Sequence, residues 1–206
     1  MSAIAYTGIH HLALVTRDMD QTIRFWRDLL GLPLVVAMGR PGYRHYFFAL
    51  SEHDTVAFFE WNEAEPVPEK DHGVPVKGPV AFDHVSFGVA RREALWELKA
   101  RLEAAGFWAS EVIDHGFILS LYSFDPNGIA IEFSYAVPEV DVRREPRLVD
   151  PKPSAVTLEG PEPQWDVWPS GAAVPEKDQL VYPGEGEKLR APESIWKRGA
   201  SVTSTA

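Results

Sequence analysis

Alternation of apolar and small or polar positions opens each half of the chain. In FDHVSFGV, residues 82–89, Val85, Phe87 and Val89 share one face of an extended segment, and His84, Ser86 and Gly88 share the other, because successive strand side chains point to opposite sides. Residues 9–16 repeat the pattern, with His11, Ala13 and Val15 opposed to Leu12 and Leu14. Apolar residues at helical spacing follow each strand: Ile23, Trp26, Leu29 and Leu30, then Leu95, Leu98, Leu102 and Ala105. Gly31 and Gly106 stand where a left-handed helix cap belongs. Further strand-like runs come next, at 34–38, 43–50 and 55–61, then at 108–113, 117–124 and 129–135. Each half therefore reads βαβββ. The stretch between them, 62–80, is rich in Pro, Gly and charge and reads as a linker. The predicted fold is α+β: two paired βαβββ modules, 8–61 and 81–136, form a pseudo-symmetric cup-shaped sheet whose histidine-bearing faces line the cavity.

Residues 138–206 break the pattern. Ten of the 17 prolines fall there without a helical or strand period, which predicts an extended arm. Trp165, Trp168 and Trp196 are costly to leave in water, so the arm is expected to pack on its own domain or on a neighbouring subunit of a homo-oligomer.

Composition narrows the partners. A net charge of -10 argues against nucleic acid, which needs clustered Lys and Arg. No apolar run approaches a membrane span and no secretory leader pattern opens the chain, which predicts a soluble, cytoplasmic protein without a membrane partner. The absence of cysteine removes disulfides, thiolate ligands and a Cys nucleophile.

A candidate site emerges from the closing segment, LYSFDPNGIAIEF. DPNG suits a type I turn that pairs Asp125 with Ile129, which sets Tyr122 opposite Glu132 on one face. Ala130 and Ser134 flank Glu132 there, while Ile129, Ile131 and Phe133 take the core side. A carboxylate on so apolar a strand is costly to bury unless it is paired or ligates a metal. His11, His84 and Glu132, each on a strand beside small neighbours, form the donor set of a facial triad with open metal positions. The competing readings are core histidines bonded to backbone and a salt-bridged edge glutamate. Glu60, spaced from His11 much as Glu132 is from His84, is a candidate fourth ligand, although it shares its face with Val56 and Phe58 and leaves Phe59 in the ligand position. His10 reads as structural or solvated, His53 and His72 as exposed, and His45 as a candidate substrate contact.

These motifs, an H-h-x-h strand opening each half (h apolar) and D-P-x-G-x-x-x-E near the end, resemble the vicinal oxygen chelate superfamily over about residues 8–136. That superfamily contains glyoxalases, bleomycin and fosfomycin resistance proteins and type I extradiol dioxygenases. The resemblance implies one domain over 1–137, an arm over 138–206, and His11, His84 and Glu132 as metal ligands. DHGFILSLYSFDPNGIAIEF, 114–133, is similar to the extradiol segment that carries a His and, ten residues before the ligand Glu, a Tyr. It implies His115 as acid/base and Tyr122 as hydrogen-bond partner of the substrate oxygen. The implied activity is an Fe(II)-dependent extradiol ring cleavage of a small aromatic diol with O2, with Mn(II) or another divalent metal as the substitute. A glyoxalase-like isomerase or lyase, a transferase of the fosfomycin-resistance kind and a metal-free binding module are the alternatives.

Overall fold

A computed structural model describes residues 9–70, 72–75, 83–164, 167, 171–184 and 186–190. The chain divides into a compact unit, Met1–Val167, and a second unit, Trp168–Ala206. In the second, the described residues form short turns at Glu176–Asp178 and Glu187–Arg190. Trp165, Trp168 and Trp196 lie outside the described residues.

The first unit contains the two predicted repeats. Module one runs β1 (His11–Thr16), α1 (Met19–Ile23), β2 (Leu34–Arg40), β3 (Tyr43–Ala49) and β4 (Thr55–Glu60). Module two runs β5 (Val85–Gly88), α2 (Ala94–Ala104), β6 (Ile113–Asp114), β7 (Ile118–Phe124) and β8 (Ala130–Ala136). Each forms a four-stranded sheet of the same topology, β1-β4-β3-β2 and β5-β8-β7-β6. The first strand of each lies parallel to the last, and the other pairs are antiparallel.

The first helix departs from the expected regularity. Asp18 caps it by accepting the Gln21 N–H at 3.0 Å. From Arg24 to Leu29 the turns widen, and the Leu30 N–H reaches back to the Phe25 carbonyl at 2.9 Å. Consecutive Phe25 and Trp26 are both buried by this stretch. Both helices end at a glycine of positive φ, Gly31 and Gly106. The predicted strand at 108–113 is largely irregular: only Ile113 and Asp114 pair with β7, plus a single bridge from Ala109 to Ser123. One backbone bond persists there, from the Ser110 N–H to the Tyr122 carbonyl at 3.0 Å, and side chains supply others, with Ser123 Oγ donating to the Trp108 carbonyl at 2.7 Å and the Tyr122 N–H donating to Ser110 Oγ at 2.9 Å.

One core serves both modules. Trp26, fully buried, packs on Phe58 of the first sheet and Phe87 of the second at ring separations of 5.4 and 5.5 Å. Its indole N–H also reaches Asp125 Oδ2 at 3.4 Å, and Thr16 Oγ1 donates to Asn127 Oδ1 at 2.8 Å. Both bonds cross between the modules. Since Phe58 and Phe87 face this core, strand alternation turns the opposite faces away from it. On the first sheet that outer face carries His11, Phe47, His45 and Phe59; on the second it carries Ser86, Tyr122 and Glu132.

Candidate functional site

β7 and β8 pair in the predicted register, with Tyr122 opposite Glu132, and β5 sets Ser86 beside Glu132 from the other side. The Glu132 carboxylate sits low on this face, only 3% exposed. Its Oε2 lies 2.9 Å from His84 Nε2, whereas Oε1 is buried and accepts no hydrogen bond. Burial works to raise this carboxyl, but the nearby Ser120, Ser134 and Ser86 hydroxyls and the His84 imidazole outweigh it and hold it below its ordinary value. A buried carboxylate oxygen that accepts no hydrogen bond is costly to leave unsatisfied, so a cation or an added donor at Oε1 is favoured.

His84 is oriented from behind. Its Nδ1 lies 2.6 Å from Asp83 Oδ1, so the ring presents Nε2 to Glu132. Asp83 is itself fixed by Lys70 Nζ at 2.9 Å and by the Gly73 N–H at 3.2 Å. A carboxylate behind an imidazole sets the tautomer and basicity that metal ligation needs. Next to this pair, Tyr122 Oη is 2.9 Å from His115 Nε2, and the Tyr122 ring stands edge-on to His84 with centroids 5.9 Å apart. Burial, then the charge of Glu132, raise the Tyr122 phenol above its usual value, so it remains a hydroxyl donor at neutral pH.

Four of the five predicted site residues, His84, Glu132, Tyr122 and His115, are thus contiguous. His11 is not among them. It lies on the outer face of the first sheet, with Nδ1 2.9 Å from His10 Nδ1 and its ring 5.5 Å from Phe47. Among the described residues no group of three His, Asp or Glu side chains is placed to hold a metal ion within one chain. The residues of the second sheet fit two positions of a divalent metal, and the third imidazole lies on a face turned from the shared core.

Glu60 has another occupation. Both its oxygens accept from the Arg44 guanidinium, and Oε1 also takes the Met19 N–H at 2.8 Å. Arg44 extends to Asp20 at 2.7 Å. Phe59 occupies the outer face instead, stacked on His45 at 3.6 Å, and Trp61 continues the aromatic run. His53 is exposed, as expected.

His72 corrects the sequence reading. It is half-buried rather than exposed: its Nε2 meets the Ile131 carbonyl at 3.1 Å, and its ring lies 4.5 Å from Tyr122 and 5.6 Å from His84. Burial lowers its proton affinity. The described part of the supposed linker is a strap held before His72 by the Val67 N–H on the Asn127 carbonyl at 2.8 Å and by Lys70 on Asp83, and after it by the Gly73 N–H on Asp83 Oδ1. The sequence's only hint was that DHG occurs twice, at 71–73 and at 114–116.

A cavity of about 830 Å³ opens beside the cluster. Ser86 and Ser134, hydrogen-bonded to each other, lie on its floor, and Phe117 and the start of the C-terminal arm form its walls. Among the described residues no helix is long and apolar enough to cross a membrane.

Known proteins share this architecture. The chain is 27% identical over 129 residues to a lactoylglutathione lyase of Haemophilus influenzae, covering 61% of this chain and 90% of that one. The fold matches a glyoxylase/bleomycin resistance protein/dioxygenase domain from Frankia sp. EAN1pec with a TM-score of 0.55 at 22% identity, over 66% of this chain and 96% of that one. It matches the fosfomycin resistance protein FosX of Listeria monocytogenes with a TM-score of 0.50 at 17% identity, over 66% and 98%. Built of paired βαβββ modules and matched by the family model across residues 8–133, the chain belongs to the Glyoxalase/Bleomycin resistance protein/Dioxygenase superfamily.

Proposed function

We propose that this protein is a metal-dependent extradiol-type dioxygenase that opens the ring of a catechol-like diol with O2, and that it works as a homodimer. The observation that carries this reading is the unbroken line His115, Tyr122, Glu132, His84, with Glu60 committed to Arg44. The relative named lactoylglutathione lyase favours the alternative, an isomerase or lyase with a fourth carboxylate ligand. Glu60 would have to abandon an ion pair whose carboxylate is buried and whose guanidinium is one-third exposed, at a cost of about 2–3 kcal/mol.

His84 and Glu132 would hold a divalent metal, Fe(II) by preference and Mn(II) as a substitute, and His11 of a second copy would complete the triad. When bound, the metal supplies a Lewis acid that eases loss of the diol's second proton and leaves positions open to substrate and oxygen. The residues of this chain do the rest. The Tyr122 hydroxyl donates to a substrate oxygen beside Glu132, and His115, within hydrogen-bond reach of Tyr122, takes and returns a proton through it. His72 walls Tyr122 against the strap and fixes the plane of its ring. Both oxygen atoms enter the product as one ring C–C bond breaks, so no external reductant is required.

Oxygen uptake by anaerobically reconstituted protein over a panel of catechols, with a yellow ring-opened product, is the expected result. Silence across the panel, together with turnover of a glutathione hemithioacetal, would overturn it. For the dimer, a mixture of His11→Ala and Glu132→Gln proteins should regain the metal binding and turnover that neither variant has alone.

A further inference from the structure

The start of the C-terminal arm carries two arginines into the cavity beside the site. After β8 the chain is fixed by the Val137 N–H on the Phe117 carbonyl at 2.9 Å, then folds into a turn at Asp141. Asp141 Oδ1 accepts the N–H groups of both Arg143 and Arg144, each at 3.1 Å, and its carbonyl accepts the Glu145 N–H at 2.9 Å. That carboxylate is therefore spent on shaping the turn, while Arg143 and Arg144 line the cavity. Among the described residues neither guanidinium has an acidic side chain within ion-pair distance, in contrast to Arg147, which is paired with Glu145 at 3.1 Å. In a chain of net charge -10, two adjacent arginines without an ion-pair partner, set against the one Asp141 carboxylate that lines the same cavity, leave this wall net positive in a field that elsewhere repels anions. The floor of the same cavity is Ser86 and Ser134. Ser134 is the next residue on the face of Glu132, about 7 Å along the strand. The serines thus lie between Glu132 and the cavity wall formed by the arm.

We infer that Arg143 and Arg144 recognise an anionic group on the substrate, so that the preferred ligand is a ring diol bearing a carboxylate side chain. The inference rests on the proposed diol site for the orientation of the ligand, but the charge preference is read from the arm alone. Arginine suits the role because its planar fork meets both oxygens of a carboxylate.

The test uses the full chain and three probes of one shape: 3,4-dihydroxyphenylacetate, its methyl ester and 2-(3,4-dihydroxyphenyl)ethylamine. Binding is followed by quenching of tryptophan fluorescence in metal-free and metal-loaded protein, and kcat/KM by oxygen uptake. The acid should bind about tenfold tighter than the ester, as expected of a partly exposed charge-assisted contact, and the preference should shrink as salt is raised. Replacing both residues by glutamine, R143Q/R144Q, should bring the acid-to-ester ratio close to one. The charge-reversed R143E/R144E protein should favour the amine, and thermal melting checks that each variant is folded. An Arg-dependent preference for the acid without oxygen uptake upholds this inference while the dioxygenase reading fails. Oxygen uptake with equal kcat/KM for acid and ester, or a preference that survives in R143Q/R144Q, overturns it while the dioxygenase reading stands.

Discussion

Gly128 joins the DPNG turn to the strap that carries His72, and its replacement by alanine isolates that joint. Its φ of +76° is left-handed, and a Cβ built there would lie 2.1 Å from the Val67 carbonyl oxygen and 3.1 Å from its carbon. Backbone cannot rotate out of the way as a side chain can, so the strap must move. Left-handed backbone costs an alanine about 1–2 kcal/mol, and displacing Val67 forfeits its hydrogen bond to the Asn127 carbonyl, worth about 1 kcal/mol. Gly128→Ala should therefore destabilise by roughly 2–3 kcal/mol, which for a chain of this size is about 5–10 °C in melting temperature. Gly106→Ala is the internal control. Its φ is +84° and no atom lies within 4 Å of the added Cβ, so it bears the backbone strain without the collision. Urea unfolding of both variants, with hydrogen exchange at the Val67 amide, checks the difference. Equal losses for the two, with the Val67 amide still protected, would refute the claim that the strap is pressed against the turn.

Four further outcomes follow from the site. Asp83→Asn should lower metal affinity about 10–100-fold by releasing the His84 ring, measured by competition with a chelator. Glu60→Gln should leave the metal content per chain unchanged. By contrast, Arg44→Met should cost about 2–3 kcal/mol in urea unfolding, below the usual cost of breaking a fully buried pair because Arg44 is one-third exposed, and Arg44→Met/Glu60→Gln, which keeps an acceptor for the Met19 N–H, should recover part of it. Because burial holds His72 below its ordinary proton affinity, the unfolded chain binds the proton more readily, and stability falls as pH drops through about 6.5. His72→Gln should remove that part of the slope in melting temperature between pH 7 and pH 5.

Local order carried most of what was legible beforehand. Period-two alternation is a property of a few consecutive residues, so the repeat, the glycine stops and the facing of Tyr122 and Glu132 could be read directly. Phe59 in the ligand position of β4 was readable for the same reason, since Glu60 shares its side with Val56 and Phe58. The strand at 108–113 was overdrawn because Ser110 and Ser123 supply by side chain part of what a ladder would supply by backbone, leaving one backbone bond from Ser110 to Tyr122. His72 was invisible, because a segment without period gives no clue to what it will be pressed against. What pinned it, Val67 on Asn127 and Lys70 on Asp83, is tertiary. The basic pair at Arg143 and Arg144 was hidden likewise in a proline-rich stretch with no face of its own.

The two halves have kept one topology and divided the work. The outer face of the second sheet holds a carboxylate with an unfilled oxygen, an oriented imidazole, a phenol and two serines, all polar chemistry on a floor of small residues. That of the first sheet holds His11 at the end of a ladder through Phe47, His45, Phe59 and Trp61. Each face is a liability alone. Val15 and Trp61 each leave 45% of their surface in water on the first sheet, and Glu132 Oε1 is desolvated without a partner on the second. A single chain cannot lay one face on the other, since both are averted from the core around Trp26. Two chains related by a two-fold axis can do so twice. In the proposed dimer each contact would cover the apolar ladder of one copy, bring its imidazole to the His84 and Glu132 of the other, and supply a flat aromatic wall opposite Tyr122 for a planar diol.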